Sequence, residues 1–134
     1  MAADNRRIDP AGLAPARGFS HAVVATGRTT VYLAGQTALD ATGAIVDGDV
    51  VAQFERALGN LLAALDAAGG DPAHLVRVTC YLTDIPGYRA RATEIGAVWR
   101  RLAGREYPAM AAIGVTRLWD DTALVELDGI AVLP

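Results

Sequence analysis

Lysine is missing from this sequence of 134 residues; all 12 basic residues are arginines. Its absence excludes a lysine Schiff base, a lysine-anchored pyridoxal cofactor and a P-loop. Ser20 is the one serine and stands outside any G-x-S-x-G elbow. A single cysteine, Cys80, cannot close an internal disulfide, which suits the reducing cytoplasm. His21, His74 and Cys80 make no metal-ligand spacing, so neither metal nor cofactor is expected. The acidic run "DATGAIVDGD" superficially suggests a calcium loop. Its twelfth position, however, is Val51 where a bidentate glutamate is required, and it reads as a hairpin loop. No apolar run approaches the roughly 20 residues that cross a bilayer, so no membrane is expected. The opening "MAADNRRIDPAGLAPARG" has no apolar core of a secretory signal. Residues 1–17 therefore read as a lead segment, mobile or strapped down, ahead of a domain over 18–134. Net charge is −3 with no basic block, which argues against nucleic acid as a partner. What survives is carboxylate or bound-water chemistry, binding without chemistry, or work done by backbone groups.

The patterning is that of one domain of 134 residues, of which 52% are apolar. "SHAVVA" and "GRTTVYLAG" predict two strands joined at Thr26-Gly27-Arg28, and a short segment follows near Ala44 to Val46. Phe54, Leu58, Leu61, Leu62 and Leu65 predict a helix over about 50–68, with Gln53, Glu55, Arg56 and Asp66 away from its apolar face. "LVRVTCYLTD" alternates as a strand: Val76, Val78, Cys80 and Leu82 on one side, Arg77, Thr79 and Tyr81 on the other. Ile95, Val98, Trp99 and Leu102 stripe a second helix over about 87–103, and "PAMAAIGVTRL" and "ALVELDGIAVL" close the chain as strands. The economical packing is α+β: one mixed sheet with two helices on one face. Its other face stays uncovered and partly apolar, which predicts a homo-oligomer built sheet to sheet.

"GFSHAVVATGRTTVYLAGQTALDATGAIVDGD", "NLLAALDAAGG", "VRVTCYLTDIPGY" and "YPAMAAIGV…ALVELDGIAV" together resemble the RidA (YjgF) family of small trimeric proteins. The resemblance runs from Gly18 nearly to the end. It implies a chorismate-mutase-like α+β fold (bacillus type), a homotrimer whose sheets form a central β-barrel, and small-molecule ligands in clefts between subunits. It also implies hydrolysis of reactive enamines and imines to a carbonyl compound and ammonia. In the family an arginine after the Pro-Ala of the "YPA" motif grips the substrate carboxylate, and a last-strand glutamate helps activate water. Here the arginine position holds Met110, and the glutamate matches Glu126.

Three further matched positions have also turned apolar: Phe19 for a tyrosine, Ala34 for a serine and, less securely, Ala92 for an asparagine. The resemblance thus marks an arginine-less member. Its expected catalytic residue is Glu126, with Asp128 structural; its expected substrate-binding residues are Phe19, Ala34, Gly35, Met110, Ala111 and Trp119. Glu126 beside Met110 would be desolvated and so a better base near neutrality. Met110 offers only a soft apolar surface, so the substrate is expected to be less acidic and more apolar than an α-imino acid. Each position has a plainer reading: Met110 and Cys80 as core, Glu126 and Asp128 as solvated edge carboxylates, His21 and His74 as surface groups, and Arg117 with Trp119 as a loop packed by one aromatic. The rival function is a non-catalytic trimer that binds a metabolite or a protein. A ribonuclease or translation-inhibiting role, attributed to some relatives, fits an acidic chain without lysine least well.

Overall fold

In the closing segment of the chain every second residue is apolar and small or medium-sized, and this decides the layering. In the computed structural model, which describes residues 4–134, Val125–Leu133 is strand β6. Val125, Leu127, Ala131 and Leu133 are buried, while Glu126, Asp128, Ile130 and Val132 turn to the opposite face. β6 lies between β3 (Thr29–Gln36) and β4 (Leu75–Leu82), antiparallel to both. β5 (Ala109–Gly114) pairs parallel with β4, which gives the order β3-β6-β4-β5. Parallel neighbours need a long crossover, and the helical segment between β4 and β5 provides it.

Helix α1 (Val50–Ala67) starts at Asp49, whose side chain accepts the Ala52 N–H at 3.0 Å. Phe54, Ala57, Leu58, Leu61 and Leu65 recur at helical spacing and are buried against the sheet. Gln53, expected away from the core, is instead only 4% exposed. Its amide donates to the Thr122 carbonyl at 3.0 Å and accepts the Leu124 N–H at 2.8 Å. The helix thereby holds the loop that leads into β6, and a satisfied amide is tolerated inside.

The second expected helix is two. α2 (Ile85–Ala90) and α3 (Ala92–Ala103) are separated at Arg91, where φ −110° and ψ 16° leave the helical range. The Arg91 N–H closes on the Tyr88 carbonyl at 3.1 Å, a tighter turn that re-aims the chain. The Arg91 guanidinium then spans Asp49 at 2.7 Å and Glu94 at 2.6 Å, tying the start of α1 to α3. Ile95, Val98 and Trp99 of α3 complete the core beside α1.

The strand over "SHAVVA" also differs from expectation. β2 (Ala22–Thr26) does not pair with β3; it joins β1 (Asp4–Ile8), within the lead segment, in a separate antiparallel ribbon. The sheet is therefore a mixed four-stranded one plus a two-stranded ribbon. The Ser20 N–H reaches the Pro108 carbonyl at 2.9 Å and the Arg28 N–H reaches the Leu133 carbonyl at 3.0 Å, so the ribbon's second strand is tied at both ends. Arg7 adds bonds to the Tyr107 and Ala73 carbonyls at 3.1 and 3.0 Å, which strap the lead segment down. Asp40 accepts the Thr42 and Ala44 N–H groups, so "DATGAIVDGD" opens with a tight turn bridged at Leu39 and Ile45.

No helix among the described residues covers the second face of the four-stranded sheet. Tyr32 there is 78% exposed and Ile113 44%. No described helix is long and apolar enough to cross a membrane.

Replacing Gln53 by alanine leaves two backbone groups of the 122–124 segment unpaired. We expect a loss of about 2–4 kcal/mol in unfolding free energy, measured by urea denaturation.

Candidate functional site

The residues singled out in the sequence fall into two groups, one on each face of the sheet. The first surrounds Glu126. Because Val125 and Leu127 point into the core, Glu126 projects from the open face, across from Tyr81 of β4. Asp128 follows on the same face and accepts the Tyr81 hydroxyl at 3.1 Å. In β3 the pairing shifts between Leu33 and Gln36, a bulge that contains Ala34 and Gly35. That bulge passes directly under the Glu126 carboxylate: a Cβ at position 35 would stand 2.6 Å from its Oε1. A side chain at position 35 would push the carboxylate from this position. On the next turn of chain the Thr37 hydroxyl donates to Asp120 at 3.1 Å, which brings a third carboxylate to the group.

Burial pushes the Glu126 carboxyl above the ordinary glutamate range, and the charges of Asp128 and Asp120 push it the same way. None of the ion pairs among the described residues involves Glu126. The direction is the one expected from the sequence, but Met110 is not its cause. Met110 pairs with Val78 and Glu126 with Tyr81, three residues apart on β4, so the two side chains leave opposite faces. Ala111 is on the Glu126 side, in register with Thr79 and Asp128.

The second group surrounds Met110. It packs against the core and lines a cavity of about 510 Å³ between β5 and the α2–α3 segment. Ala92, the first residue of α3, lines the same cavity, so two of the positions that have lost polarity meet there. Around them stand Phe54, Tyr88, Trp99 and Tyr107, with Arg17 and Arg100 from two different segments. Trp99 stacks on Tyr107 with ring centroids 6.3 Å apart, and Phe54 meets Tyr88 edge-on at 6.2 Å. Arg17, Tyr88, Arg100 and Tyr107 were not legible as site residues. Their roles arise only when the lead segment, the kinked helix pair and the approach to β5 converge.

The remaining expected positions are placed plainly. Phe19 is half-buried beside the start of β5, next to Gly18 of the cavity wall, and its ring meets His21 edge-on at 5.0 Å. His21 Nε2 lies 2.7 Å from the Ala14 carbonyl oxygen, and the His21 backbone N–H donates to Asp9, so the residue organises the loop. Trp119 is 93% exposed and packs no loop; beside it Arg117 pairs outward with Asp121. His74 is half-buried because it completes the cap of the short helix at Pro72–His74, its Nδ1 accepting the Asp71 N–H. Cys80 is buried core, and burial raises its thiol to about 12. Among the described residues no three His, Cys, Asp or Glu side chains are grouped to hold a metal.

With this geometry in view, known proteins give a consistent picture. A family model described as Endoribonuclease L-PSP matches residues 10–133. Protein DfrA of Myxococcus xanthus is 43% identical over 115 residues, spanning 85% of this chain and 84% of that one. A protein of Capra hircus named 2-iminobutanoate/2-iminopropanoate deaminase is 35% identical over 124 residues, spanning 92% and 83%. Among solved structures, a Rid family protein from Yersinia pestis superposes with a TM-score of 0.87 at 34% identity, covering 96% of this chain and 98% of that one.

A carboxyl group whose pKa is raised on folding stabilises the native state while protonated, and the contribution is lost as pH rises through the folded pKa. Glu126→Gln should therefore raise the melting temperature at pH 7. The gain should shrink as pH falls and vanish below the ordinary glutamate pKa of about 4.3, which thermal scans across pH will check.

Proposed function

The chain belongs to the Rid family, and from that premise we propose that it is an imine or enamine hydrolase whose acid–base group is Glu126. The observation that carries the reading is Glu126 itself. It is a carboxyl without a cationic partner among the described residues, raised in pKa by burial and by two like charges, and packed close against the Gly35 bulge on the open face of the sheet. A base works best when its pKa approaches the working pH. The reaction needs little more than a held water. Glu126 takes a proton from water as the oxygen bonds to the imine carbon. The same proton then passes to nitrogen to give a carbinolamine. The hydroxyl proton follows to nitrogen as the carbon–oxygen double bond forms and the carbon–nitrogen bond breaks, and a carbonyl compound and ammonia or an amine leave. An enamine first takes a proton at carbon and then follows the same course.

Substrate choice belongs to the Met110 cavity. A family arginine at this position would grip a carboxylate by two parallel hydrogen bonds; methionine supplies dispersion contacts alone. A carboxylate seated on Met110 would lose its water without gaining a partner, at a cost of several kcal/mol. The substrate is therefore less acidic and more apolar where it meets residue 110 than the imino acids named for the Capra hircus relative.

Met110 and Glu126 face opposite sides of one sheet, so no single chain can present both to one small molecule. The site is completed by a second copy, in a homotrimer in which the open face of one subunit meets the β5 edge of the next, with the ligand in the cleft between them. The exposed Tyr32 and Ile113 on that face suit such packing. An acidic surface without lysine disfavours an RNA substrate, although the family model is described as an endoribonuclease.

Two measurements test the reading. Ammonia release from a panel of neutral and anionic imines should fall about 10²–10⁴-fold in Glu126→Gln; saturable binding with no turnover by the wild type would assign a binding role instead. Ala92→Trp, which fills the cavity from its rim, should also be inactive. Mixing equal amounts of the two inactive variants through unfolding and refolding should restore about a quarter of the wild-type activity, since one cleft in four then holds both intact halves. A site contained in one chain predicts no recovery.

A further inference from the structure

The cavity at Met110 has lost its family cation at the floor but holds two at the mouth. Arg17 and Arg100 line it from the lead segment and from the last turn of α3. Both are exposed, and neither has a carboxylate partner among the described residues. The arginines of comparable position on the neighbouring helix surface behave otherwise: Arg91 and Arg101 are each engaged by acidic side chains. Between the mouth and Met110 the walls are aromatic: Phe54, Tyr88, Trp99 and Tyr107. Trp99 is only 5% exposed and is stacked on Tyr107, so the two rings form a fixed part of the cavity wall. The volume of about 510 Å³ falls within the roughly 300–1,000 Å³ of small-molecule clefts.

We infer that this cavity takes a planar aromatic ring bearing an anionic group, the ring among Trp99, Tyr107 and Met110 and the anion at Arg17 and Arg100. The inference rests on reading the Met110 cavity as the substrate half of the site, and it names the substrate class: ring-bearing monoanions rather than short-chain imino acids. Offset or edge-on packing of a third ring beside the Trp99–Tyr107 stack matches the geometry aromatic groups prefer. The sulfur of Met110 makes favourable contact with a ring edge, which a carboxylate cannot do. An arginine at the mouth presents its planar fork to an anion while remaining partly hydrated, so it avoids the desolvation that a buried cation would suffer. Met110 thus refuses the anion at the floor, and the arginines accept it at the rim.

The test is equilibrium binding to the Glu126→Gln protein, which separates it from any question of turnover. Hydrocinnamate, propionate and hydrocinnamyl alcohol are titrated calorimetrically at constant salt. Hydrocinnamate should bind at least about tenfold tighter than either of the others, one lacking the ring and one the charge. Arg100→Gln and Arg17→Gln should each weaken hydrocinnamate several-fold and leave the alcohol unchanged. The Trp99 Nε1–H resonance should shift on binding in the wild-type cavity. Equal affinity for propionate, no measurable hydrocinnamate binding, or indifference to both arginine substitutions would overturn the inference. If hydrocinnamate binds as described but no imine is hydrolysed by the wild type, the ring subsite stands and the hydrolase reading fails.

Discussion

The alternation of side chains along β6 is the constraint on which the rest depends. β6 is paired on both sides, so its register is fixed by β3 and β4 at once and a slip of one residue would expose Val125 and Leu127 while burying Glu126 and Asp128. With the helices confined to one face, the core claims every second residue of β6, and the carboxylates have no place but the open side. Glu126 is raised in pKa because burial strips it of water and because its neighbours on that side, Asp128 and Asp120, share its charge. The core and the candidate site are two faces of the same periodicity.

That periodicity also places Glu126 and Met110 on opposite faces, which under the proposed function would separate catalysis from recognition. The group that would move protons sits on the open face, and the cavity that would read the substrate sits on the helix face, with β4 between them. A substitution at Met110 or Ala92 can alter which molecule enters without touching the electrostatics of Glu126. A site built across copies of the chain, as proposed, would allow substrate class to change while the reaction stays the same. The four polar-to-apolar departures fit this division: Met110 and Ala92 lie at the cavity, Phe19 stands at its edge, and Ala34 alone belongs to the Glu126 side.

Most of the fold was legible because it rests on local periodicity. The helix stripe from Phe54 to Leu65 and the burial of Val78, Cys80 and Leu82 follow from sequence spacing directly, whereas a register shift at Leu75–Arg77 buries Leu75 in place of Val76. What escaped depended on partners distant in sequence. β1, "DNRRI", has no apolar alternation, because it lies in a two-stranded ribbon where little is buried. Gln53 looked like a surface residue until Thr122 and Leu124 satisfied its amide. The break at Arg91 follows from a local turn and from two carboxylates, one of them 42 residues away. In the site, Glu126, Gly35 and Met110 were legible through family resemblance. Their opposite faces followed only from the pairing of β5 with β4 and of β4 with β6.

Arginine alone supplying the positive charge has a consequence for such a site. Lysine would offer a group that can lose its proton when desolvated and act as a nucleophile toward carbonyl compounds. A hydrolase that releases reactive carbonyl products beside a lysine would risk being modified by them. Arginine stays protonated and binds anions through a rigid fork. With Arg17 and Arg100 at the cavity mouth and Glu126 the carboxyl raised in pKa, the proposed site would divide charge recognition and proton transfer between residues that cannot exchange roles. On the proposed reading, the chemistry is addition of water to a carbon–nitrogen double bond, with a single carboxylate moving the protons.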